Sequence, residues 1–225
     1  MSALAPTPRS ALVRAARQFA PLGLGQGQAG NLSLRMSRGG QAGCLITPTG
    51  ARAATVGARE LCWFPLDRGA DGAVGPLAPS SEWRFHRDIY RERADAMAIV
   101  HAHSPAATAL ACLPSGLPAF HYAVAVAGGR DIRCAPYATF GTQALSDHAL
   151  RALRDRRACL LAHHGLIAIG PSIDAALELA AEVESLAGIY LLARQAGGPA
   201  VLPDDEMDRV LERYRSYGPV RRRPR

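Results

Sequence analysis

Apolar residues recur along this chain at two spacings, which distinguish its predicted helices from its predicted strands. Apolar positions at i, i+4, i+7 and i+8 predict an amphipathic helix over residues 9–20, whereas the alternation over residues 32–36 is typical of a strand. The same criteria predict further strands at 44–47, 61–64, 96–103, 158–162 and 166–169. Further helices are predicted at 81–93, 108–113, 143–155, 173–196 and from Asp204 onward, and 121–126 fits either a helix or a strand. The pattern is that of a mixed α/β protein.

Capping and turn-forming residues set the limits of these elements. Ser80 is predicted to cap the helix over 81–93, and Ser172 to cap the longest helix, over 173–196. Residues 51–78 are poorly patterned apart from the strand at 61–64. No internal repeat and no linker divides the chain, so the sequence predicts a single α/β domain over residues 1–225.

The composition is that of a globular protein, since 48% of the 225 residues are apolar. No apolar run approaches the roughly 20 residues that cross a bilayer. Arginines also interrupt each apolar stretch near the N-terminus, where a signal peptide would lie. The five cysteines occur singly and without a CxxC motif, which is typical of reduced thiols. We therefore expect a cytoplasmic protein with no membrane partner.

The identity of the basic residues restricts the possible catalytic mechanism more than the net charge does. The charge of +7 includes four arginines within 221–225, and no zinc-finger or aromatic-basic signature accompanies it, so we expect no nucleic-acid partner. All 26 of the lysine and arginine residues are arginine. Schiff-base catalysis needs a primary amine side chain and is therefore closed to this chain. A Lewis-acidic metal is the leading substitute for any carbonyl chemistry.

Two histidine pairs follow apolar segments and predict a metal site. Residues two apart on a strand share a face, so His101 and His103 can converge on one ion. His163 and His164 follow a second strand, and because adjacent side chains point to opposite faces only one of them is expected at the site. An HxH pair alone is often incidental, but three histidines with a carboxylate match a catalytic zinc site.

A carboxylate and two serines open the helix predicted over 81–93. Glu82 can complement the helix dipole, or it can bind a metal and act as a general base once substrate displaces it. Ser80 and Ser81 can cap the helix, but N–H groups and hydroxyls at a helix N-terminus also bind phosphate. Turns at 30–31 and 49–50 can bring more N–H groups to the same anion. Together these features predict a metal-dependent enzyme acting on a small phosphorylated substrate.

Other candidate residues receive no role from the pattern alone. Tyr122 and Tyr217 could donate a proton near a metal, but a core or interface tyrosine gives the same pattern. Phe140 follows a turn and is equally open. His86 and His148 fall within predicted helices and are expected at the surface or in helix packing.

Several segments together resemble the class II aldolase and adducin family. The central one reads P-S-S-E-W-R-F-H over 79–86, and it is followed by V-H-A-H over 100–103. Order and spacing match the family over about residues 9–218, which leaves 219–225 as a basic tail. The other matching segments are 25–33, 45–50, 118–122, 127–129, 134–142 and 163–168.

This resemblance implies a fold, a reaction and an assembly. The fold is a single domain with a central, mainly antiparallel sheet flanked by helices. The reaction is the reversible cleavage of a ketose 1-phosphate, such as L-fuculose 1-phosphate in fucose catabolism, to dihydroxyacetone phosphate and an aldehyde such as L-lactaldehyde. The assembly is a homotetramer around a fourfold axis, with active sites between subunits and one zinc ion per subunit.

The resemblance also implies roles for individual residues. His101, His103 and His164 would bind zinc, with Glu82 as the fourth ligand and the group that moves the proton. Tyr122 of a neighbouring subunit would exchange a proton with the aldehyde-side oxygen. Two further residues, Phe140 and Tyr217, would shape the aldehyde pocket, and the substrate phosphate would lie on Gly30, Asn31, Thr49, Gly50, Ser80 and Ser81.

The sequence departs from the family pattern in two places. Residues 51–55 read A-R-A-A-T, where the family usually has a tyrosine and an acidic-basic pair, which affects the expected phosphate geometry. The arginine-rich end at 221–225 also differs and follows Tyr217, which affects the expected aldehyde specificity.

Other reactions of the same family stay open. An aldolase for 5-deoxyribulose 1-phosphate would use the same residues, and a dehydratase or decarboxylase would share the fold and the metal. A pentulose-phosphate epimerase is disfavoured because its pattern has an aspartate at the position of Glu82. A non-catalytic adducin-like scaffold would lack the metal ligands, whereas all four are present here.

Overall fold

A seven-stranded sheet forms the centre of the computed structural model, which describes residues 7–25, 28–113 and 115–216. The spatial order is β3-β2-β1-β4-β7-β6-β5. Every neighbouring pair is antiparallel except β5 and β6, which are parallel, so the prediction of a mainly antiparallel sheet is confirmed. The strands are β1 (Asn31–Arg38), β2 (Gln41–Ile46), β3 (Cys62–Pro65), β4 (Ala98–Ala102), β5 (Cys134–Ala135), β6 (Ala158–Leu161) and β7 (Gly165–Gly170).

Six α-helices cover the two faces of this sheet. Alternate strand residues point to opposite faces and so build two separate cores. One core is closed by α1, α3, α5 and α6, and the other by α2 and α4. The helices are α1 (Pro8–Arg17), α2 (Trp83–Glu92), α3 (Pro105–Ala111), α4 (Gln143–Ala152), α5 (Ile173–Gln195) and α6 (Asp204–Ser216), with 3₁₀ helices at Gly69–Gly72 and Tyr122–Ala127.

The central strands carry polar side chains toward α2. In the antiparallel pairing of β1 with β4, Asn31 lies opposite His101. Leu32 packs into the core closed by α5, so its neighbours Asn31 and Ser33 face the opposite side, where α2 lies. This register places the first polar residues of β1 beside the histidine of β4.

Most predicted elements are present, and one predicted cap is wrong. The Ser172 hydroxyl accepts the N–H of Ala175 at 3.1 Å and caps α5, as predicted. Ser80, however, does not cap α2, because the helix begins at Trp83 and its N-cap position is Glu82, which forms no side-chain capping bond. Ser80 instead continues an extended segment, since its N–H donates to the carbonyl of Thr47 at 3.2 Å.

The two-residue strand β5 and the 3₁₀ turn at Gly69–Gly72 were not predicted. Both are too short for apolar periodicity to reveal. Among the described helices, none combines the length and the apolar character needed to cross a membrane.

Candidate functional site

A carboxylate and three imidazoles converge where β4, β6 and the start of α2 meet. Ligand atoms of Glu82, His101, His103 and His164 all lie within 4.8 Å of one another. The Nε2 atoms of His101 and His103 are 2.8 Å apart. Glu82 Oε2 lies 3.0 Å from His101 Nε2, and its Oε1 lies 3.2 Å from His164 Nε2. The structure therefore brings together the four residues that the family resemblance implied as ligands, and it distinguishes His164 from His163, which the strand pattern had left open.

Local backbone geometry explains why these histidines meet. His101 lies within β4 and His103 one residue beyond its end, so both point to one face. After β6, His163 takes a left-handed φ of 54°, and the chain turns so that His164 reaches the cluster. Gly165 then starts β7, and a Cβ there would lie only 2.2 Å from the carbonyl oxygen of Ala102. Glycine at this position lets the two strands approach closely enough to share the site.

Two of the three histidines have the neutral state that a metal ligand requires. Burial and the neighbouring His101 lower the pKa of His103 to about 3 and that of His164 to about 4, so both are neutral at pH 7. His101 donates from Nδ1 to the carbonyl of Leu166 at 2.8 Å, which directs its Nε2 into the cluster. Burial alone would lower the pKa of His101, but the Glu82 carboxylate raises it.

The carboxylate is ionised and only partly satisfied. Burial alone would raise the pKa of Glu82, but His101, His164 and the amide of Asn31 outweigh it and hold that pKa well below its usual value. Oε2 accepts a hydrogen bond from Asn31 at 3.0 Å. Oε1 is buried and has no hydrogen-bond partner within the described parts of the chain.

These four residues fit a metal ion. Two N–H groups could not face each other at 2.8 Å, so at least one of the Nε2 atoms of His101 and His103 presents an unshared electron pair to the cluster. Imidazole nitrogens with one carboxylate are donors that zinc and neighbouring transition metals favour. A cation would also supply the missing partner of Glu82 Oε1.

His86 was expected at the surface or in helix packing, and the structure shows it in packing, buried between α2 and β1. Its ring is fully buried beneath the cluster, where Nε2 lies 2.5 Å from Asn31 Oδ1 and Nδ1 lies 2.7 Å from Ser33 Oγ. Apolar periodicity could not show this, because both partners lie more than 50 residues away in sequence on β1. His148 is exposed, and its Nδ1 lies 3.0 Å from the carbonyl oxygen of Pro136.

The predicted phosphate segments lie side by side. Thr49 N–H donates to the carbonyl of Ala78 at 3.1 Å and Ser80 N–H donates to that of Thr47, so both of these donors are already used. Gly50 and Ser81 are exposed, and within the described residues neither N–H donates to a backbone carbonyl. These two N–H groups are therefore free to bind an anion from solvent.

Two other residues that were predicted to bind phosphate form contacts in the core of the site. Gly30 has a φ of 85°, and a Cβ there would lie 2.6 Å from the carbonyl oxygen of His101. This close approach places β1 against β4. The side-chain amide of Asn31 is shared between Glu82 and His86, and the residue is only 6% exposed. Its nearest charged partner is thus the carboxylate.

Residues 10–191 match the family described as Class II Aldolase and Adducin N-terminal domain. The chain belongs to this family. It is 52% identical over 210 residues to the 5-methylthioribulose-1-phosphate/5-deoxyribulose-1-phosphate aldolase of Rhodospirillum rubrum, covering 93% of this chain and 92% of that protein. It is 48% identical over 198 residues to the L-fuculose phosphate aldolase of Escherichia coli (strain K12), covering 88% and 89%.

Solved structures agree with this assignment. An L-fuculose 1-phosphate aldolase superimposes with a TM-score of 0.86 at 39% identity, covering 92% of this chain and 96% of that one. The L-fuculose-1-phosphate aldolase of Thermus thermophilus gives a TM-score of 0.71 at 30% identity, covering 86% and 98%. The protein is therefore a class II aldolase, a lyase class that depends on a metal, and its Glu–His₃ cluster is complete.

Two aromatic residues implied for this aldolase lie at its surface. Tyr122 opens a 3₁₀ helix, is 54% exposed and stacks on His121 with the ring centroids 4.7 Å apart. Phe140 is 65% exposed in the loop before α4, where Arg84 donates to the carbonyl of Gly141 at 2.6 Å and ties that loop to α2. Neither ring forms a recorded hydrogen bond or ring contact with the cluster in the described part of the chain.

Some predicted features cannot be placed. Tyr217 lies outside the described residues, as do residues 26–27 of the glycine-rich turn and the basic tail at 219–225.

Proposed function

We propose that this aldolase is zinc-dependent and reversibly cleaves a ketose 1-phosphate to dihydroxyacetone phosphate and an aldehyde. The observation that carries the proposal is the buried Glu–His₃ cluster, in which Glu82 Oε1 has no hydrogen-bond partner among the described residues. One carboxylate and three imidazoles are a donor set that zinc accepts readily. The absence of lysine agrees with this choice over a Schiff-base route.

In this proposal the chain's own residues hold the metal and move one proton. His101, His103 and His164 would hold the ion, with Glu82 as the fourth ligand in the absence of substrate. When bound there, zinc supplies a Lewis acid for the substrate carbonyl. Glu82 then carries the proton that the three-carbon fragment gains or loses, since it is ionised and within reach of the same centre.

The substrate phosphate is assigned to the turns beside α2. Gly50 and Ser81 are exposed residues whose N–H groups donate to no backbone carbonyl within the described residues, and Thr49 and Ser80 adjoin them in sequence. Gly30 and Asn31 complete the predicted phosphate set, with Asn31 also serving the carboxylate. Free N–H groups at the start of a helix favour an anion.

The aldehyde end of the substrate is assigned to residues from a neighbouring subunit. Tyr122 and Phe140 are large, exposed aromatic side chains, as expected of residues that complete a site across an interface. We propose a homotetramer in which Tyr122 exchanges a proton with the aldehyde-side oxygen, while Phe140 and Tyr217 shape its pocket.

Two groups of substrate are candidates for this site. L-fuculose 1-phosphate would yield L-lactaldehyde and place the enzyme in fucose catabolism, as the 48% identical relative suggests. A 5-deoxyribulose or 5-methylthioribulose 1-phosphate is favoured by the 52% identical relative. Cleavage between the third and fourth carbons gives dihydroxyacetone phosphate in every case, so the candidates differ only in the aldehyde.

The first test is sugar-phosphate cleavage by the purified enzyme, followed through dihydroxyacetone phosphate. L-fuculose 1-phosphate and 5-deoxyribulose 1-phosphate are compared before and after treatment with a chelator, and then after zinc is restored. We expect turnover that chelation removes and zinc restores, with the larger kcat/KM identifying the substrate. Turnover that survives removal of all metal would overturn the proposal, and so would a zinc-loaded enzyme that is inactive on both and on 5-methylthioribulose 1-phosphate.

A further inference from the structure

Polar residues of α2 and β1 interlock in a buried row beneath the metal cluster. Glu82, His86 and Tyr90 follow one another at intervals of four, so they share one face of the helix. Asn31 and Ser33 are two apart on β1 and share one face of the strand. The five side chains alternate between the two elements, and we call them the polar row.

The polar row is continuous and excluded from water. Tyr90 Oη lies 2.7 Å from Ser33 Oγ, which lies 2.7 Å from His86 Nδ1. His86 Nε2 lies 2.5 Å from Asn31 Oδ1, and Asn31 Nδ2 lies 3.0 Å from Glu82 Oε2. Each of the five residues is buried. Such a network is strongly stabilising only when every donor meets an acceptor.

The donor and acceptor groups require the hydrogen bonds of this row to run in a single direction. An ionised carboxylate only accepts, so Asn31 must turn its NH₂ to Glu82 and its oxygen to His86. That oxygen also only accepts, so His86 carries its proton on Nε2. A neutral ring then has its lone pair on Nδ1, which accepts from Ser33, and Ser33 accepts from Tyr90. Burial, helped by His101, lowers the pKa of His86 to about 3, which agrees with a neutral ring.

An isolated asparagine amide could not hold this direction by itself. Its oxygen and NH₂ group are nearly the same size, so a half-turn would bring the oxygen against the carboxylate of Glu82. The N–H of His86 blocks that half-turn, because the flipped amide would present NH₂ to NH. His86 therefore holds Asn31 from the end opposite Glu82, in the same orientation that the carboxylate requires.

We propose that His86 is a positioning residue which, through Asn31, fixes Glu82 Oε2 and leaves Oε1 as the oxygen that carries the proton. The proposal rests on the function proposed above for Glu82. It explains the asymmetry of this carboxylate, in which Oε2 is held by Asn31 while Oε1 lacks a hydrogen-bond partner among the described residues.

The first test measures the His86 tautomer directly and needs no activity. Ring ¹⁵N spectra of histidine-labelled, metal-free protein at pH 7 are assigned to His86 by comparison with His86→Gln. We expect a neutral ring protonated on Nε2. A ring protonated on Nδ1, or on both nitrogens, overturns the proposal whatever the substrate proves to be.

The second test separates positioning from packing through kcat and KM. His86→Phe fills the space but cannot donate to Asn31, and we expect kcat to fall about 10- to 100-fold with little change in KM. His86→Gln keeps an N–H near the Nε2 position and should recover most of that loss. Equal kcat values for the two variants, when both have wild-type circular dichroism, would overturn the proposal.

Two buried serines provide a matched control. Ser33 Oγ lies 2.7 Å from His86, and Ser146 Oγ lies 2.7 Å from Asp88, also on α2, but only Ser33 leads to Glu82. Both Ser→Ala variants should lower Tm. Only Ser33→Ala should lower kcat, by about fivefold, the equivalent of one neutral hydrogen bond. If the two variants change kcat equally, the polar row contributes to packing only and does not position Glu82.

A double-mutant cycle tests whether His86 acts through Asn31. Once Asn31→Ala has removed the amide, adding His86→Phe should cost little more, so the two losses should not multiply. Multiplying losses would show that His86 acts by another route. The same cycle measured on Zn²⁺ affinity, by competition with a chelator, gives the answer even if neither sugar phosphate is turned over.

Discussion

Glu82 has opposite environments at its two carboxylate oxygens. Oε2 accepts a hydrogen bond from Asn31 and lies 3.0 Å from His101, whereas Oε1 lies 3.2 Å from His164 Nε2 and has no hydrogen-bond partner among the described residues. Burial works against its ionisation, and the surrounding rings and amide more than compensate, so its pKa is low. A buried carboxylate that is ionised but incompletely paired is suited to exchange a metal contact for a proton.

Replacing Glu82 with glutamine tests this role. The side chain keeps its shape but can no longer accept a proton at neutral pH, so we expect kcat to fall by about 10²- to 10⁴-fold. Steady-state cleavage is measured beside circular dichroism and the mass of the oligomer, both of which should show the wild-type fold and assembly. Full activity in a folded Glu82→Gln enzyme would rule out the carboxylate as the base.

Tyr122→Phe tests the other proposed proton carrier. The change removes a hydroxyl from an exposed ring and leaves its stacking on His121 available, so folding should be unaffected. We expect kcat to fall by about 100-fold. The affinity for a phosphorylated product, measured by inhibition, should change little. Comparable losses in kcat and in affinity would instead point to a structural tyrosine.

At the scale of elements, α2 is fixed on two sides. Its polar row faces β1, and Asp88 ties it to α4 by accepting from Ser146 Oγ and Gln143 Nε2, each at 2.7 Å. Arg87 adds a bond of 2.6 Å to the other carboxylate oxygen. Burial would raise the pKa of Asp88, but the bonds from Arg87, Gln143 and Ser146 lower it below the usual value.

Asp88 should make the stability of the enzyme sensitive to acid. Its folded pKa lies below its unfolded pKa, so its contribution is complete at neutral pH and is lost as the pH falls below about 4, the usual carboxyl range. Asp88→Asn should lower the free energy of unfolding at pH 7 by about 1–3 kcal/mol. This deficit should shrink toward pH 3 in urea unfolding.

An exposed aspartate provides the control for this prediction. Asp174 pairs with Arg14 at 2.8 Å but is half exposed, so Asp174→Asn should have a small effect at any pH. Equal losses from Asp88→Asn and Asp174→Asn, or a deficit at Asp88 that does not change with pH, would contradict the assigned role.

The same elements show which parts of the fold the sequence pattern could predict. Periodicity located α1, α5 and the central strands because each buries one apolar face. It misplaced the cap of α2, since Ser80 is held by a pairing with Thr47 that no local pattern records. It also missed β5, whose two residues carry no period.

The candidate site was predicted only in part for a related reason. The metal cluster could be found because HxH and a second histidine pair end strands, where side-chain direction is set by local geometry. The role of His86 could not be predicted, because it depends on contacts with Asn31 and Ser33, which are distant in sequence. The spacing E-x₃-H-x₃-Y within α2 was the available signal, since it sets three polar groups on one helix face.

At the scale of the whole molecule, the proposed active site needs two chains. Tyr122 and Phe140 are more than half exposed, while Glu82 and His101 are buried. Within the described residues, no recorded hydrogen bond or ring contact joins these two groups. A rotationally symmetric ring places the same surface of each subunit against a different surface of the next, which can bring such groups together.

Mixed oligomers of two inactive variants test this arrangement. Glu82→Gln and Tyr122→Phe chains are unfolded, combined in equal amounts and refolded together, and cleavage is compared with each variant refolded alone. If every site takes Glu82 from one chain and Tyr122 from the next, about one quarter of the sites regain both residues. Activity should therefore rise to about a quarter of the wild-type value, in particles of about four times the 23.8 kDa chain mass.

The matched control combines Glu82→Gln chains with chains that carry both substitutions. No site in that mixture can contain Glu82, so activity should stay at the level of the single variant. Recovery there would reveal contaminating wild-type enzyme. If instead each chain uses its own Tyr122, no mixture of the two single variants regains a complete site. Absence of recovery in a mixture shown by mass spectrometry to contain hybrid tetramers would therefore confine the active site to one chain and leave the exposure of Tyr122 unexplained by assembly.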